Sequence, residues 1–348
     1  MKFNLTSEER SKIDALLETK QINIAFADML MSFYDYDLSK IKPENKDAFV
    51  SLFMEAMELD ETNSENVKLI NKYIGRNFKK LDDSIFNDNP YFKRVRPQLT
   101  KIGDYKLCLD HFYPYQTFAY DDVEIDKKDN YCELSKIGYF DHKVNFLALS
   151  YKNEIWMNIS PNEINTMKSS IEEANGDILV FGLGLGYYPF MVALKDNVKS
   201  VTIIEKDKNI IEIFKKHLFP FFINKDKIQI IEADAFEFMK NNKVHYDYSF
   251  VDLWHNPSDG LPMYLKFKPL EDKNCKYSYW LEDSIKQMYR RCVLTVIEEQ
   301  FAGTPESAYE HPENELDKVI NDIYFELKKR EVIDYSSIIS LLERHQDF

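Results

Sequence analysis

The 348 residues carry 45 Lys and Arg against 59 Asp and Glu, a formal charge of −14, with 44% hydrophobic and 14% aromatic residues. That length suffices for two domains or for one domain with large additions. The acidic balance argues against nucleic acid held by phosphate neutralisation and against an anionic membrane face, and the apolar content excludes wholesale disorder. No apolar run nears the roughly 20 residues of a membrane span, and the acidic start Met1–Glu9 lacks a signal-peptide core. The cytoplasm is the expected compartment.

Residues 1–100 read as helical. Thr6-Ser7-Glu8-Glu9 is a helix start with Ile13, Leu16 and Leu17 behind it, and Ile22–Phe33, Pro43–Leu59 and Asn63–Phe78 continue at helical spacing. This region is expected to be a bundle serving as packing or homodimer surface. Residues 101–160 turn aromatic and β-branched, as in Tyr105–Leu109 and Val144–Leu149, and predict a small antiparallel β layer. From 161 to 300 strand and helix alternate. Short continuous apolar strands at Asp177–Phe181, Val201–Glu205, Ile228–Ile231 and Tyr248–Val251 are separated by helices at Tyr188–Leu194, Asn209–Leu218 and Ala235–Asn241, after a first helix at Pro161–Ala174. That pattern predicts an α/β, doubly wound, Rossmann-like and mostly parallel sheet. Trp280–Arg291 reads as a helix, and Val293–Ile297 fits either a fifth strand or its continuation. Residues 301–348 form a helical tail, with a loop at Thr304–Glu313 and helices at Leu316–Arg330 and Ser336–Arg344.

The chain has only nine glycines, and Gly182, Gly184 and Gly186 fall within five residues, between a strand and a helix. A simple turn explains one glycine; three alternating ones point to a loop whose backbone approaches a ligand. The spacing departs from the dinucleotide fingerprint G-x-G-x-x-G, since Tyr187 holds the third glycine's place, and no Gly-Lys-Ser/Thr of a P-loop follows. Four scattered cysteines, Cys108, Cys132, Cys275 and Cys292, form no C-x-x-C pair, so neither a disulfide framework nor a zinc site is expected. Cys108 and Cys292 sit among apolar residues and read as core.

The G-x-G-x-G loop after the first strand resembles motif I of the class I AdoMet-dependent methyltransferases. Three acidic positions extend the resemblance: Glu205 ending the second strand, Asp234 (with Ala235) after the third, and Asp252 ending the fourth. The resemblance implies that Gly182, Gly184, Gly186, Glu205, Asp234 and Ala235 bind S-adenosyl-L-methionine, Glu205 through both ribose hydroxyls and Asp234 near the adenine amino group. Asp234 equally suits a helix N-cap, and the two duties are compatible. Within the superfamily the arrangement is nearest the spermidine-synthase-like branch, because a β layer precedes the nucleotide fold, Trp156–Glu163 enters the first helix where those enzymes have an acidic segment, and Tyr246-Asp247 leads to Asp252. It departs from that branch where a second Asp would bind the amine. His255 stands there, within Leu253-Trp254-His255-Asn256-Pro257-Ser258.

Methyl transfer from a sulfonium asks a protein mainly to align the acceptor and keep it unprotonated. Asp252 and His255 are the candidate catalytic residues, either able to take the proton of an amine. The expected function is AdoMet-dependent methyl transfer to a small-molecule acceptor. The alternatives are aminopropyl transfer from decarboxylated AdoMet and a non-catalytic AdoMet-binding module. With His255 in place of one carboxylate, intact AdoMet is expected to bind more tightly than its decarboxylated form. The basic runs Lys93–Arg96, Lys266–Lys268 and Lys328–Arg330 read as solvated faces.

Overall fold

The computed structural model describes residues 2–34, 38–43, 45–330 and 332–344. Small parts of the predicted helical region (1, 35–37 and 44) and of the predicted tail (331 and 345–348) lie outside the described residues. The helices Ile22–Phe33 and Thr6 onward are one element, α1 (Ser7–Tyr34). Its N-terminal half places Ile13 and Leu16 in the main core, whereas Phe26, Met29, Leu30 and Phe33 enter a second, smaller core. One helix therefore ties two apolar clusters together, as its length allows. The second core is aromatic: Phe26 stacks on Tyr73 at 4.2 Å, and Phe49 meets Phe78 at 4.8 Å and Tyr139 at 4.5 Å.

The predicted helix Pro43–Leu59 is shorter, α2 (Lys46–Ala56), because Asn45 caps it through Ala48 N–H. Likewise Asn63 caps α3 (Ser64–Ile70), which passes into a wider π turn at Asn71–Gly75. The N-terminal region is not wholly helical, since Lys79–Lys80 pairs in parallel with Gly138–Tyr139. The β layer is a four-stranded antiparallel sheet of β1 (Thr100–Ile102), β2 (Tyr105–Phe112), β3 (Val144–Tyr151) and β4 (Glu154–Asn158), in that order. Cys108 on β2 is only half-buried, unlike Cys292, which is in the core.

The predicted helix Pro161–Ala174 divides at Met167 into α4 (Pro161–Thr166) and α5 (Lys168–Glu173). Five parallel strands follow: β5 (Gly176–Phe181), β6 (Val198–Glu205), β7 (Ile228–Glu232), β8 (Tyr248–Val251) and β9 (Lys276–Tyr279). Their order in the sheet is β7-β6-β5-β8-β9. The fifth strand is thus Lys276–Tyr279, and Val293–Ile297 lies inside a helix. The connecting helices are α6 (Tyr187–Ala193), α7 (Lys208–Ile213), α8 (Ala235–Asn241) and α9 (Pro257–Phe267), and α10 (Glu282–Phe301), α11 (Glu315–Lys328) and α12 (Tyr335–Glu343) complete the chain. Strand β5, Phe181 included, is buried along nearly its whole length, between β6 and β8. The chain order reverses at β5, which leaves a crevice at the carboxyl ends of β5 and β8, the usual ligand position in such sheets. Among the described residues no helix is long and apolar enough to cross a membrane.

Candidate functional site

That crevice is a cleft of about 400 Å³, and the glycine loop forms its floor. All three loop glycines have positive φ, at 93°, 51° and 76° for Gly182, Gly184 and Gly186. Their surroundings divide their duties. A Cβ on Gly182 would lie 2.1 Å from the carbonyl oxygen of Asp252, and one on Gly186 2.3 Å from Phe214 Cε2. Those two glycines serve close packing of the protein on itself. A Cβ on Gly184 would meet only Met157 Sδ, at 3.9 Å, so there is open cleft over this glycine; Gly182 also lines the cleft, and Gly186 does not.

Glu205 reaches the cleft from the end of β6. Its Oε2 accepts from Leu183 N–H at 3.1 Å and its Oε1 from Asp207 N–H at 2.8 Å. Each oxygen keeps a second acceptor direction, so the carboxylate is oriented over the loop and retains capacity for two hydroxyl donors. Asp207 is itself held by Tyr105 Oη–H of β2 at 2.6 Å, which links the β layer to the Glu205 carboxylate. Asp234 lines the cleft and also caps α8, accepting from Phe236 N–H at 2.9 Å and Glu237 N–H at 3.1 Å, while Ala235 is buried beside it.

Asp252 ends β8, its backbone N–H donating to the carbonyl of Phe181 at 2.9 Å. Across the cleft stands Glu163, in the first turn of α4, a residue that sequence reasoning did not single out. Both keep an opening to the cleft but are enclosed by protein. Burial raises Asp252 to about 7, with the charge of Glu205 adding to the effect. Burial also raises Glu163 well above the carboxylate range, and the charge of Asp252 pushes it further. Two neighbouring carboxyls in a low-dielectric site do not both ionise readily, so Glu163 holds its proton when Asp252 has lost its own. The signal in the sequence was the position of Glu163 at the end of the segment Trp156–Glu163.

The three tryptophans of the chain, Trp156, Trp254 and Trp280, all line this cleft. Trp254 is buried and donates Nε1–H to the Trp280 carbonyl at 3.1 Å, and Trp280 donates to Thr166 Oγ1 at 3.0 Å, so both are anchored in the wall. Trp156 on β4 is 42% exposed and meets His255 edge to face at 4.5 Å. His255 lies in the loop that leads to α9, where Asn256 and Asp259 form a capping box. Of the site residues expected from the sequence, Gly182, Gly184, Glu205, Asp234, Ala235, Asp252 and His255 line one cleft, and Gly186 packs behind it against Phe214. Among the described residues no group of three or more His, Cys, Asp or Glu is arranged to hold a metal ion.

Residues 160–264 match the family model of the Spermine/spermidine synthase domain. No curated protein is similar to the chain. Solved structures similar to it include the spermidine synthase of Thermotoga maritima, at 16% identity and a TM-score of 0.31 over 43% of this chain and 58% of that one. A second is a spermidine synthase in complex with the transition-state analogue AdoDATO, at 17% identity and a TM-score of 0.32 over 43% of this chain and 60% of that one. This chain therefore spans less than two thirds of either structure.

Proposed function

We propose that the cleft binds a nucleoside sulfonium of the AdoMet type and transfers the aminopropyl group of its decarboxylated form to an amine. The carboxyl pair Glu163 and Asp252 carries this reading. Five carboxyl side chains line the cleft (Glu163, Glu205, Asp234, Asp252 and Asp259), and Lys206 is the one Lys or Arg among the lining residues. Intact AdoMet would bring its own carboxylate into that field, and two like charges at about 4 Å repel by roughly 4 kcal/mol at an effective dielectric of 20. The decarboxylated donor brings only cations. The expectation that intact AdoMet binds more tightly rested on His255 removing one carboxylate. Glu163 adds a second carboxyl from another element, so the pair keeps one negative charge beside those of Glu205 and Asp234, and in this reading the preference reverses. The family match over 160–264 supports the same side.

In this reading the acceptor ammonium first gives up a proton to a base of the cleft. The freed lone pair attacks the methylene carbon bound to sulfur, a C–N bond forms, and the C–S bonding pair stays on sulfur. The products are a neutral thioether nucleoside and a secondary ammonium. Methyl transfer from AdoMet is the second reading, supported by the glycine loop, Glu205 and Asp234, which face the nucleoside half common to both donors. Calorimetric titration with AdoMet, decarboxylated AdoMet and methylthioadenosine, followed by turnover with putrescine, separates the two. Tighter binding of the decarboxylated donor with methylthioadenosine released is the expected result. Tighter binding of AdoMet, with methylated product and no spermidine, overturns it.

A further inference from the structure

The cleft holds a histidine–carboxylate dyad outside the carboxyl pair. Asp259, at the third position of α9, accepts from Asn256 N–H at 2.8 Å through Oδ1 and from His255 N–H at 3.1 Å through Oδ2. The same Oδ2 lies 3.2 Å from Nδ1 of His255. A carboxylate only accepts hydrogen bonds, so in neutral His255 the Nδ1 must carry the proton and Nε2 the lone pair. Among the described residues Nε2 has no hydrogen-bond partner. The Trp156 ring packs against the imidazole from β4, so the ring is gripped by a hydrogen bond on one nitrogen and by an aromatic contact. Both His255 and Asp259 line the cleft.

We infer that Asp259 is a positioning residue that fixes His255 in the tautomer whose Nε2 takes the proton of the acceptor amine. This rests on the transfer reading above and names its base. Asp252 is then the anion that draws in the cation, and His255 the proton acceptor. The titratable group in contact with His255 is Asp259 from α9; the other charged groups of the same cleft are Asp252 after β8, Glu163 on α4, Glu205 and Lys206 at the end of β6 and Asp234 before α8, and β4 offers Trp156, Met157 and Asn158, which do not titrate.

The test is D259N. Its oxygen can keep the bond from Asn256 N–H, but an NH2 replaces Oδ2 and must donate to Nδ1, which forces the proton of neutral His255 onto Nε2. Nitrogen-15 NMR of ring-labelled protein reads the tautomer without any turnover. Expected are Nδ1–H in the wild type, Nε2–H in D259N, and kcat with decarboxylated AdoMet and putrescine lower by about 100-fold with KM for the donor unchanged. H255A should lose activity similarly and recover part of it with added imidazole, a rescue that a merely structural role would not show. H255A carries the test if D259N melts at a clearly lower temperature. Nε2–H in the wild type, kcat within twofold in D259N, or no imidazole rescue overturns the inference. A wild type that shows Nδ1–H but turns over no amine overturns the transfer reading and leaves the tautomer assignment standing.

Discussion

The affinity of the cleft for a cation should depend on pH through Asp252, with the sign fixed by which protonation state binds. Burial and the charge of Glu205 raise Asp252 to about 7. The deprotonated form attracts a cation, so affinity rises as pH rises through that value. With a midpoint near 7 the anionic fraction is about 9% at pH 6 and about 91% at pH 8. A cation at about 4 Å gains roughly 4 kcal/mol at an effective dielectric of 20, enough to make the protonated form a poor binder. The expected outcome is about tenfold tighter binding of decarboxylated AdoMet at pH 8 than at pH 6. Methylthioadenosine, which is neutral, should show a flat profile. Asp252→Asn should flatten the donor's profile too, whereas Glu163→Gln should keep it, because burial and the charge of Asp252 both favour the protonated form of Glu163. Calorimetry in buffers of different ionisation enthalpy should also report proton release on binding near pH 7. A flat profile for the donor in the wild type, or a profile unchanged by Asp252→Asn, would refute the reasoning. The same raised value has a consequence for folding. The folded state binds a proton that the unfolded state has lost between the ordinary carboxylate range and about 7, so this group's contribution to stability falls as pH rises through that window.

Gly184→Val places a branched side chain in open cleft at φ 51°, and is expected to abolish nucleoside binding with the fold retained, whereas Gly186→Ala should lower the melting temperature because its Cβ would meet Phe214 at 2.3 Å. The reverse pattern in calorimetry and thermal melts would deny Gly184 its place in the site. Glu205→Ala should weaken both donors at least tenfold, since hydrogen bonds to a charged partner are worth about 1.5–3 kcal/mol each; equal affinity of the wild type for 2′-deoxy and 3′-deoxy analogues would exclude the ribose role. Lys20 is 4% exposed on α1 and pairs with Glu298 on α10 at 2.5 Å, so Glu298→Ala leaves a buried ammonium uncompensated. The cost expected from chemical denaturation is about 2–4 kcal/mol, below the fully buried case because Glu298 itself is partly exposed. A loss under about 0.5 kcal/mol would show that water replaces the carboxylate.

Local chemistry was legible along the chain. Ala235–Asn241 and Tyr248–Val251 carry their own start, period and stop, and the structure places those elements at the same residues. That Gly182, Gly184 and Glu205 meet at one cleft was legible because they stand at short, fixed spacing from the ends of neighbouring strands. Strand β9 was not: its sequence Lys276-Tyr277-Ser278-Tyr279 lacks the continuous apolar run of the inner strands, because it lies at the sheet edge beside β8 alone. Val293–Ile297 carries such a run yet lies in a helix, for a buried helix segment and a buried strand look alike over five residues.

What only the tertiary structure decided is the charge of the cleft. Glu163 and Asp252 are 89 positions apart, and no periodicity or spacing relates α4 to the end of β8. Asp259 had a local signal, the Asn-x-x-Asp of a capping box, but nothing in that signal says that the same carboxylate also faces the imidazole of His255. The sequence determines backbone preference because that is set by neighbours a few residues away. The proton affinity of a carboxyl is set by burial and by charges brought close through folding, and so it belongs to the three-dimensional structure.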